Sequence, residues 1–284
     1  MGTKHLGINA YTLLYLLLIH CFTLPTVSFG AHIVWSADHE TGDLSQWDEE
    51  GPAGSQWWGS YDNGDCLRPP KGVTSEQSHS GEYSVKMSLG SWDPDGGCRQ
   101  FRYIESRTGD SFYYSSWLYF PTHYVIDNWA NVIQFKSQSP TKNNPVWVLE
   151  LRNRNNGAMY FMLTWQGVMA GPTEDENKVL KHYHQTVKDV PENQWIHIEV
   201  YLKQSSGYTG RISFWQDGVQ IYDMDKVKTK YPDGDNRWSI NAYGDKISPM
   251  PFTVYVDDTA ISTTRIGPQL GEPLDPPSNL RLVK

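Results

Sequence analysis

Short alternations of apolar and polar residues recur along this chain and predict an all-β fold. In Val132–Ser137, Ile133 and Phe135 alternate with Gln134 and Lys136. Because successive side chains of a strand point to opposite faces, these two pairs are expected on opposite sides of a sheet. Gly, Pro, Asn and Asp separate the runs, a spacing that predicts an antiparallel sandwich. The other runs are Tyr83–Leu89, Arg99–Glu105, Phe112–Phe120, Val146–Arg152, Ala158–Thr164, Trp195–Leu202, Arg211–Trp215, Trp238–Tyr243 and Phe252–Ile261.

The turn and linker residues between the runs indicate one domain with a tail. Asp217-Gly218 lies between Ser213–Trp215 and Val219–Ile221, which predicts a tight hairpin. The last strand is expected to end near Ile266, and a Pro- and Gly-rich linker composition follows it. We therefore expect one β-domain over residues 31–268 and a linker-like tail over residues 269–284.

The N-terminal 30 residues have the pattern of a signal peptide. Lys4 precedes an apolar run, and the small residues Ser28 and Gly30 suit cleavage after Gly30. The run is too short for a membrane span, so no membrane association is expected. The pattern predicts a secreted protein, extracellular or periplasmic.

Removal of this segment would leave two cysteines, Cys66 and Cys98. In an exported chain such a pair predicts one disulfide, with two free thiols as the alternative. The bond would close a loop of about 30 residues and stabilise the fold by roughly 3–4 kcal/mol in the chain-entropy model.

Charge and aromatic content bear on the partner. The formal net charge of −8 argues against nucleic acid as the main ligand. The chain has 12 Trp and 17 Tyr, more than a core of this size needs, and flat rings in excess can line a surface that binds sugars. We expect a monomer whose partner is a polysaccharide.

Two adjacent runs place polar side chains together. In Val146–Arg152, one side of the run is formed by Trp147, Leu149 and Leu151. Glu150 and Arg152 lie on the other side. If the runs pair, Glu150 and Arg152 share a sheet face with Gln134 and Lys136. This set suits a carbohydrate-binding groove. The alternative is a solvated outer face with a cross-strand ion pair.

Several motifs, in order along the chain, resemble the jelly-roll polysaccharide lyases, which include alginate, glucuronan and heparin lyase-like enzymes. Arg99–Glu105 is similar to their Arg-rich strand, and Gln134-Phe135-Lys136 to their Gln-x-His strand motif. Ser239–Gly244 resembles the strand that presents their catalytic Tyr, and Glu40–Asp43 resembles their first strand. The resemblance implies an antiparallel β-jelly roll sandwich, concanavalin-like, that cleaves a uronate-containing polysaccharide.

β-Elimination of a uronate removes the C5 proton, expels the O4 leaving group and requires a neutralised carboxylate. The resemblance implies that Tyr243 is the acid, with the base as a second role, and that Gln134 and Lys136 neutralise the carboxylate. Asn241 shares a strand face with Tyr243 and is expected to bind substrate. Lys136 stands where the family has His, so it is alternatively a base with a lowered pKa, or a sign of lost activity.

His182 and His184 share one face of Leu180–Val187 and are a possible source of the missing imidazole. The alternatives are a solvated strand face and a pair of metal ligands. We therefore place both histidines among the expected substrate-binding residues.

Two other functions remain open at this level. A glycoside hydrolase needs two carboxylates facing one cleft, and Glu150 and Glu199 are its candidates, in separate strands. A carbohydrate-binding protein without catalysis would keep the aromatic surface and lack an acid–base pair.

The resemblance also implies a structural Ca²⁺ ion. Glu40 and Asp257 come from the two ends of the domain, which lie side by side in this class, and their oxygens suit Ca²⁺. The alternative is a solvated cluster of carboxylates.

Overall fold

A computed structural model describes residues 2, 32–47, 61–62, 72–90, 97–104, 106–140, 143–167 and 180–268. All strands lie in one compact unit, Ala31–Lys284. No helix among the described residues is long and apolar enough to cross a membrane.

Two antiparallel sheets make up the domain, which confirms the predicted all-β sandwich. The eight-stranded sheet has the order β13-β12-β11-β6-β15-β4-β3, with β1 also paired to β15. Its strands are β1 (Ile33–Ala37), β3 (Val73–Thr74), β4 (Ser84–Leu89), β6 (Ser111–Tyr119), β11 (Trp195–Lys203), β12 (Gly210–Gln216), β13 (Val219–Val227) and β15 (Phe252–Ser262).

The seven-stranded sheet has the order β10-β9-β8-β7-β14-β5-β2. Neighbours in this order pair antiparallel although some lie far apart in the chain, as β5 and β14 do. Its strands are β2 (Tyr61–Asp62), β5 (Cys98–Ile104), β7 (Val125–Gln138), β8 (Asn143–Asn153), β9 (Met159–Trp165), β10 (Lys181–Tyr183) and β14 (Asp235–Ser248).

The core lies between the sheets and consists of the apolar side of each alternation. Phe135 of β7, Trp147 of β8 and Trp238 of β14 are almost completely buried, and Tyr114 of β6 packs against Phe135 and Trp238. Burial of large rings supplies most of the driving force for such a sandwich. The other side of the seven-stranded sheet faces away from this core.

The predicted hairpin is confirmed. Asp217 and Gly218 join β12 to β13 with φ angles of 48° and 77°. Positive φ at both turn residues gives the backbone twist that matches paired strands, and Gly reaches it without steric cost.

The prediction of a first strand at Glu40–Asp43 is wrong, since that segment is a turn after β1. The Thr41 hydroxyl donates to the backbone and the carboxylate of Asp43, and Gly42 has a φ of 71°. Such local side-chain hydrogen bonds compete with strand pairing. The expected strand Leu180–Val187 is likewise reduced to Lys181–Tyr183.

Some predictions fall outside the described residues. Cys98 is buried in β5, but Cys66 lies outside them, so the disulfide stays a prediction. The signal peptide over residues 1–30 and the tail over residues 269–284 stay predictions for the same reason.

Candidate active site

The outward side of the seven-stranded sheet, which we call the polar face, bears many polar side chains and a few apolar ones. One row of paired residues crosses the sheet through Phe101, Ser239, Gln134, Val148 and Thr164. Because paired residues share a face, these side chains all point away from the core. The polar face therefore unites β5, β14, β7, β8 and β9.

A bulge in β7 brings one further amide, that of Asn131, onto the polar face. Asn131 pairs with Glu150 but Ile133 pairs with Leu149, so β7 has one extra residue at Val132. Val132 and Ile133 both reach the core, and the alternation restarts one residue out of phase. Asn131 and Gln134 consequently share the polar face although they are three residues apart.

Three amides form a buried chain on this face. Asn241 Nδ2 donates to Asn131 Oδ1 at 3.0 Å, and Asn131 Nδ2 donates to Gln134 Oε1 at 2.6 Å. The Ser239 hydroxyl donates to Asn241 Oδ1 at 2.9 Å. Each amide is thereby held in one orientation by the next. We call Asn131, Gln134 and Asn241 the amide chain.

Tyr243 lies at one end of the amide chain, opposite Asn131 in the strand register. The guanidinium carbon of Arg99 is 3.9 Å from the centre of its ring, and Trp129 packs edge-on at 4.6 Å. A Cβ at Gly97 would collide with the ring. Tyr243 is thus fixed on three sides and stays half-buried.

Lys136 lies at the other end of the amide chain, two residues beyond Gln134, opposite Arg237 in the register. It is buried. Burial, followed by the charges of Arg99 and Arg237, lowers the pKa of Lys136 from 10.5 to about 7. The amine therefore exchanges a proton near neutral pH. Because Arg99 affects Lys136 and also covers Tyr243, it links the two ends.

Glu150 and the two histidines extend the polar face towards β10. Glu150 accepts from Arg152 Nη2 at 2.7 Å and from the Thr164 hydroxyl at 2.7 Å. Thr164 in turn contacts His182 Nδ1 at 3.1 Å. The ion pair satisfies the buried carboxylate of Glu150. Both residues lie in β8, so the alternative of a cross-strand ion pair on a solvated face is wrong.

His184 has a different partner on the same side of the sheet. Its Nδ1 lies 2.7 Å from the hydroxyl of Tyr160, whose ring is covered by Arg154 at 4.4 Å. Both histidines are exposed. They lie at the β10 end of the polar face, several strands away from Tyr243 in β14.

Two arginines on the polar face have buried N–H groups that lack an acceptor in the part of the chain that the structure describes. Arg99 Nε and Arg152 Nε are buried and have no hydrogen-bond partner among the described residues. A buried N–H without an acceptor is costly, and a bound anion would satisfy it. The polar face therefore suits a negatively charged ligand, although the chain is acidic overall.

Sequence reasoning located most of this face and missed part of it. The residues that it placed there, and that share the face, are Gln134, Lys136, Glu150, Arg152, Asn241, Tyr243, His182 and His184. It missed Asn131, because the bulge breaks the alternation. It also missed Arg99 and Arg237 as individual residues, because their positions depend on the pairing of β5 with β14 and of β14 with β7.

The predicted metal residues lie elsewhere, at the loop 79–83. Glu40 accepts backbone N–H groups of Glu82 and Tyr83. Asp257 accepts those of His79 and Asp258. These donors are amides, and no group of three potential ligands is found in the part of the chain that the structure describes. Both carboxylates thus have partners of their own, and the Ca²⁺ ion stays a prediction.

Comparison with known proteins agrees with this architecture. A sequence model of a family described as polysaccharide lyase matches residues 39–259. An endo-β-1,4-glucuronan lyase from the fungus Trichoderma reesei is 16% identical, with a TM-score of 0.56 over 77% of this chain and 94% of that chain. Its likeness shows a shared fold.

Two further solved structures are similar at lower scores. A cellulose-induced protein is 17% identical, with a TM-score of 0.48 over 82% of this chain and 98% of that chain. A marine alginate lyase from Aplysia kurodai is 12% identical, with a TM-score of 0.48 over 68% and 86%. A search of curated proteins found no significant match.

Proposed function

This chain belongs to the polysaccharide lyase family, and we propose that it is an exported enzyme that cleaves a uronate-containing polysaccharide by β-elimination. The observation that supports the substrate class most strongly is the gathering of Tyr243, Lys136 and Arg99 around the amide chain. Elimination next to a carboxylate needs an acid, a base and a neutralising group in one place. The polar face carries a candidate for each role on the neighbouring strands β7, β14 and β5.

The substrate carboxylate is neutralised by the amide chain together with the arginines. Gln134 retains a small exposed fraction, whereas Asn241 has none, so Asn241 acts by holding Asn131 in place. Arg99 Nε supplies a charged donor beside Tyr243. Donors fixed before the substrate arrives stabilise the carbanion without reorganisation.

Proton transfer is divided between the two ends of the amide chain. Lys136, with a pKa of about 7, takes the C5 proton as its amine and becomes an ammonium group. The electron pair of the C5–H bond forms the C4–C5 double bond, and the C4–O4 bond breaks. Tyr243 donates its phenolic proton to O4, and solvent later restores both groups.

A screen of uronate polymers tests this function. The unsaturated product absorbs in the ultraviolet, so polymers of glucuronate, mannuronate, guluronate and galacturonate are each incubated with the protein and followed by absorbance. We expect absorbance to rise with at least one of them. Release of reducing ends without absorbance would indicate a hydrolase. Retention on a polymer in an affinity gel without either signal would indicate a binding protein.

A further inference from the structure

A pocket opens on the outward side of the eight-stranded sheet, on the opposite side of the domain from the polar face. Lys86 and Ser88 of β4 line it, together with Thr253 and Tyr255 of β15. These residues alternate with core residues of the same strands, and Lys86 pairs directly with Tyr255. Their side chains therefore point away from the core and from the polar face.

The walls of this pocket are apolar. They come from two connections, the β6–β7 segment with Pro121 and Tyr124 and the β14–β15 segment with Pro249, Met250 and Pro251. The cavity measures about 500 Å³. This is within the usual range for small-molecule sites, roughly 300–1,000 Å³, and such sites combine apolar walls with few polar groups.

A fixed polar group faces the cavity. Glu76 Oε2 accepts from Lys86 Nζ at 2.6 Å and from the Tyr255 hydroxyl at 2.8 Å. The hydrogen bonds from Lys86 and Tyr255 lower the pKa of Glu76, so its carboxylate stays ionised at neutral pH. An ionised carboxylate of fixed position is a strong acceptor for hydroxyl groups.

The charge on this side differs from that on the polar face. Lys86 pairs with Glu76 inside the pocket, and along the same sheet Arg211 pairs with Asp223. These two basic groups are each matched by an acid, so they do not select an anion. A ligand with hydroxyl groups and no net charge fits this balance.

Aromatic rings continue from the pocket along the sheet. Tyr255, Tyr119 and Trp195 are opposite one another on β15, β6 and β11. The ring centres are 5.8 Å apart between Tyr255 and Tyr119 and 5.4 Å apart between Tyr119 and Trp195. Tyr119 and Trp195 are half-buried. Rings in a row offer the apolar contacts that the C–H faces of successive sugar units need.

We propose that this pocket binds a neutral sugar unit of a polysaccharide, and that the following units contact Tyr119 and Trp195. The site is separate from the polar face and does not rest on the lyase reaction. It would hold the enzyme on a polymer that it does not cleave. The carboxylate of Glu76 orients the sugar hydroxyl groups, and the proline walls contact the apolar face of the sugar.

Neutral tetrasaccharides of glucose, xylose, mannose and galactose test this site. Each is titrated into the protein while NMR follows the indole resonance of Trp195 and the backbone amide of Tyr255. We expect one of them to bind with a dissociation constant on the order of 1 mM, a weak affinity for a ligand of this size. Glu76→Ala should weaken binding about 10-fold, since it removes a charged hydrogen-bond acceptor.

Asp223→Ala is the matched control, because it also removes an ion-paired carboxylate from the same sheet face, several strands away. We expect it to bind as the wild type does. No binding of any tetrasaccharide, or equal binding by Glu76→Ala, would overturn the proposal. Lyase activity is a separate readout, and its absence would contradict the proposed reaction while leaving neutral binding to be judged by the titration.

Discussion

Arg99 covers the ring of Tyr243, with its guanidinium carbon 3.9 Å from the ring centre. The two residues come from β5 and β14, which are more than 100 residues apart in sequence yet adjacent in the sheet. A cation over an aromatic face is attracted to the ring and holds it in place. This contact therefore keeps Tyr243 in one position beside the amide chain.

Replacing Tyr243 with Phe tests its role as the acid. The ring and its contacts with Arg99 and Trp129 remain, but the transferable proton is lost. We expect kcat on the polymer to fall by about 10²-fold or more, as the loss of a general acid typically causes. Tyr113→Phe, on the other sheet, is the control and should retain full activity. A Tyr243→Phe enzyme with near wild-type kcat would contradict the assignment.

The pH dependence of kcat/KM tests Lys136 as the base. The pKa of this residue is lowered to about 7, mainly by burial, and a base acts in its deprotonated form. We therefore expect kcat/KM, which reports the free enzyme, to rise as pH increases through about 7. If Lys136 instead neutralises the carboxylate as an ammonium group, kcat/KM would fall through the same interval.

Arg99→Met tests two roles of this arginine: it lowers the pKa of Lys136, and it donates to the substrate carboxylate. Its charge lowers the pKa of Lys136, so removing it should shift the rising limb of kcat/KM to higher pH. The plateau should also drop, by roughly 10-fold or more, because a charged donor beside the substrate carboxylate is lost. Arg211→Met, a substitution of the same kind on the other sheet, should change neither. An unshifted limb in Arg99→Met would show that another group titrates there.

The sequence predicts the polar face well where alternation is regular. Gln134 and Lys136 share a face with Glu150 because β7 and β8 pair as neighbours, and the 2-residue period assigns their sides. The side of the sheet on which Asn131 lies could not be predicted, since one extra residue at Val132 reverses the alternation. A bulge of this kind depends on the partner strand and leaves no clear local signal.

Long-range pairing sets the rest of the site. Arg99 reaches Tyr243 because β5 lies beside β14, an order that local patterns do not fix. The pKa of Lys136 depends on burial and on two arginines from other strands. A sequence supplies the residue types for this chemistry, but the electrostatic environment arises when the sheet assembles.

Glu40 has a structural role that Glu40→Ala tests. Its carboxylate accepts the N–H groups of Glu82 and Tyr83, and a Cβ at Gly81 would collide with it. We expect Tm to fall slightly, since two backbone N–H groups of this exposed loop would lose a charged acceptor. Glu82→Ala is the control with little expected change.

The predicted Ca²⁺ ion is tested by melting the wild type with and without a chelator. An ion bound to the folded state stabilises it by mass action, so the wild type should melt at a lower temperature in the chelator.

Lys136 also makes stability depend on pH in a defined direction. The pKa of its amine falls from 10.5 unfolded to about 7 folded, so between these values the unfolded chain binds more protons. The cost of burying the ammonium group is therefore fully present below about pH 7, decreases between 7 and 10.5, and vanishes above. Lys136→Met keeps the length of the chain and removes the charge.

We expect Lys136→Met to melt at a higher temperature than the wild type at pH 6, and the difference to shrink as pH rises towards 10. Differential scanning calorimetry of both proteins in the same buffers measures it. Lys203→Met, at the end of β11 on the other sheet, controls for removal of a positive charge and should show no such trend. A Tm difference that stays constant from pH 6 to pH 10 would mean that Lys136 does not titrate in this interval, and its role as the base would fail with it.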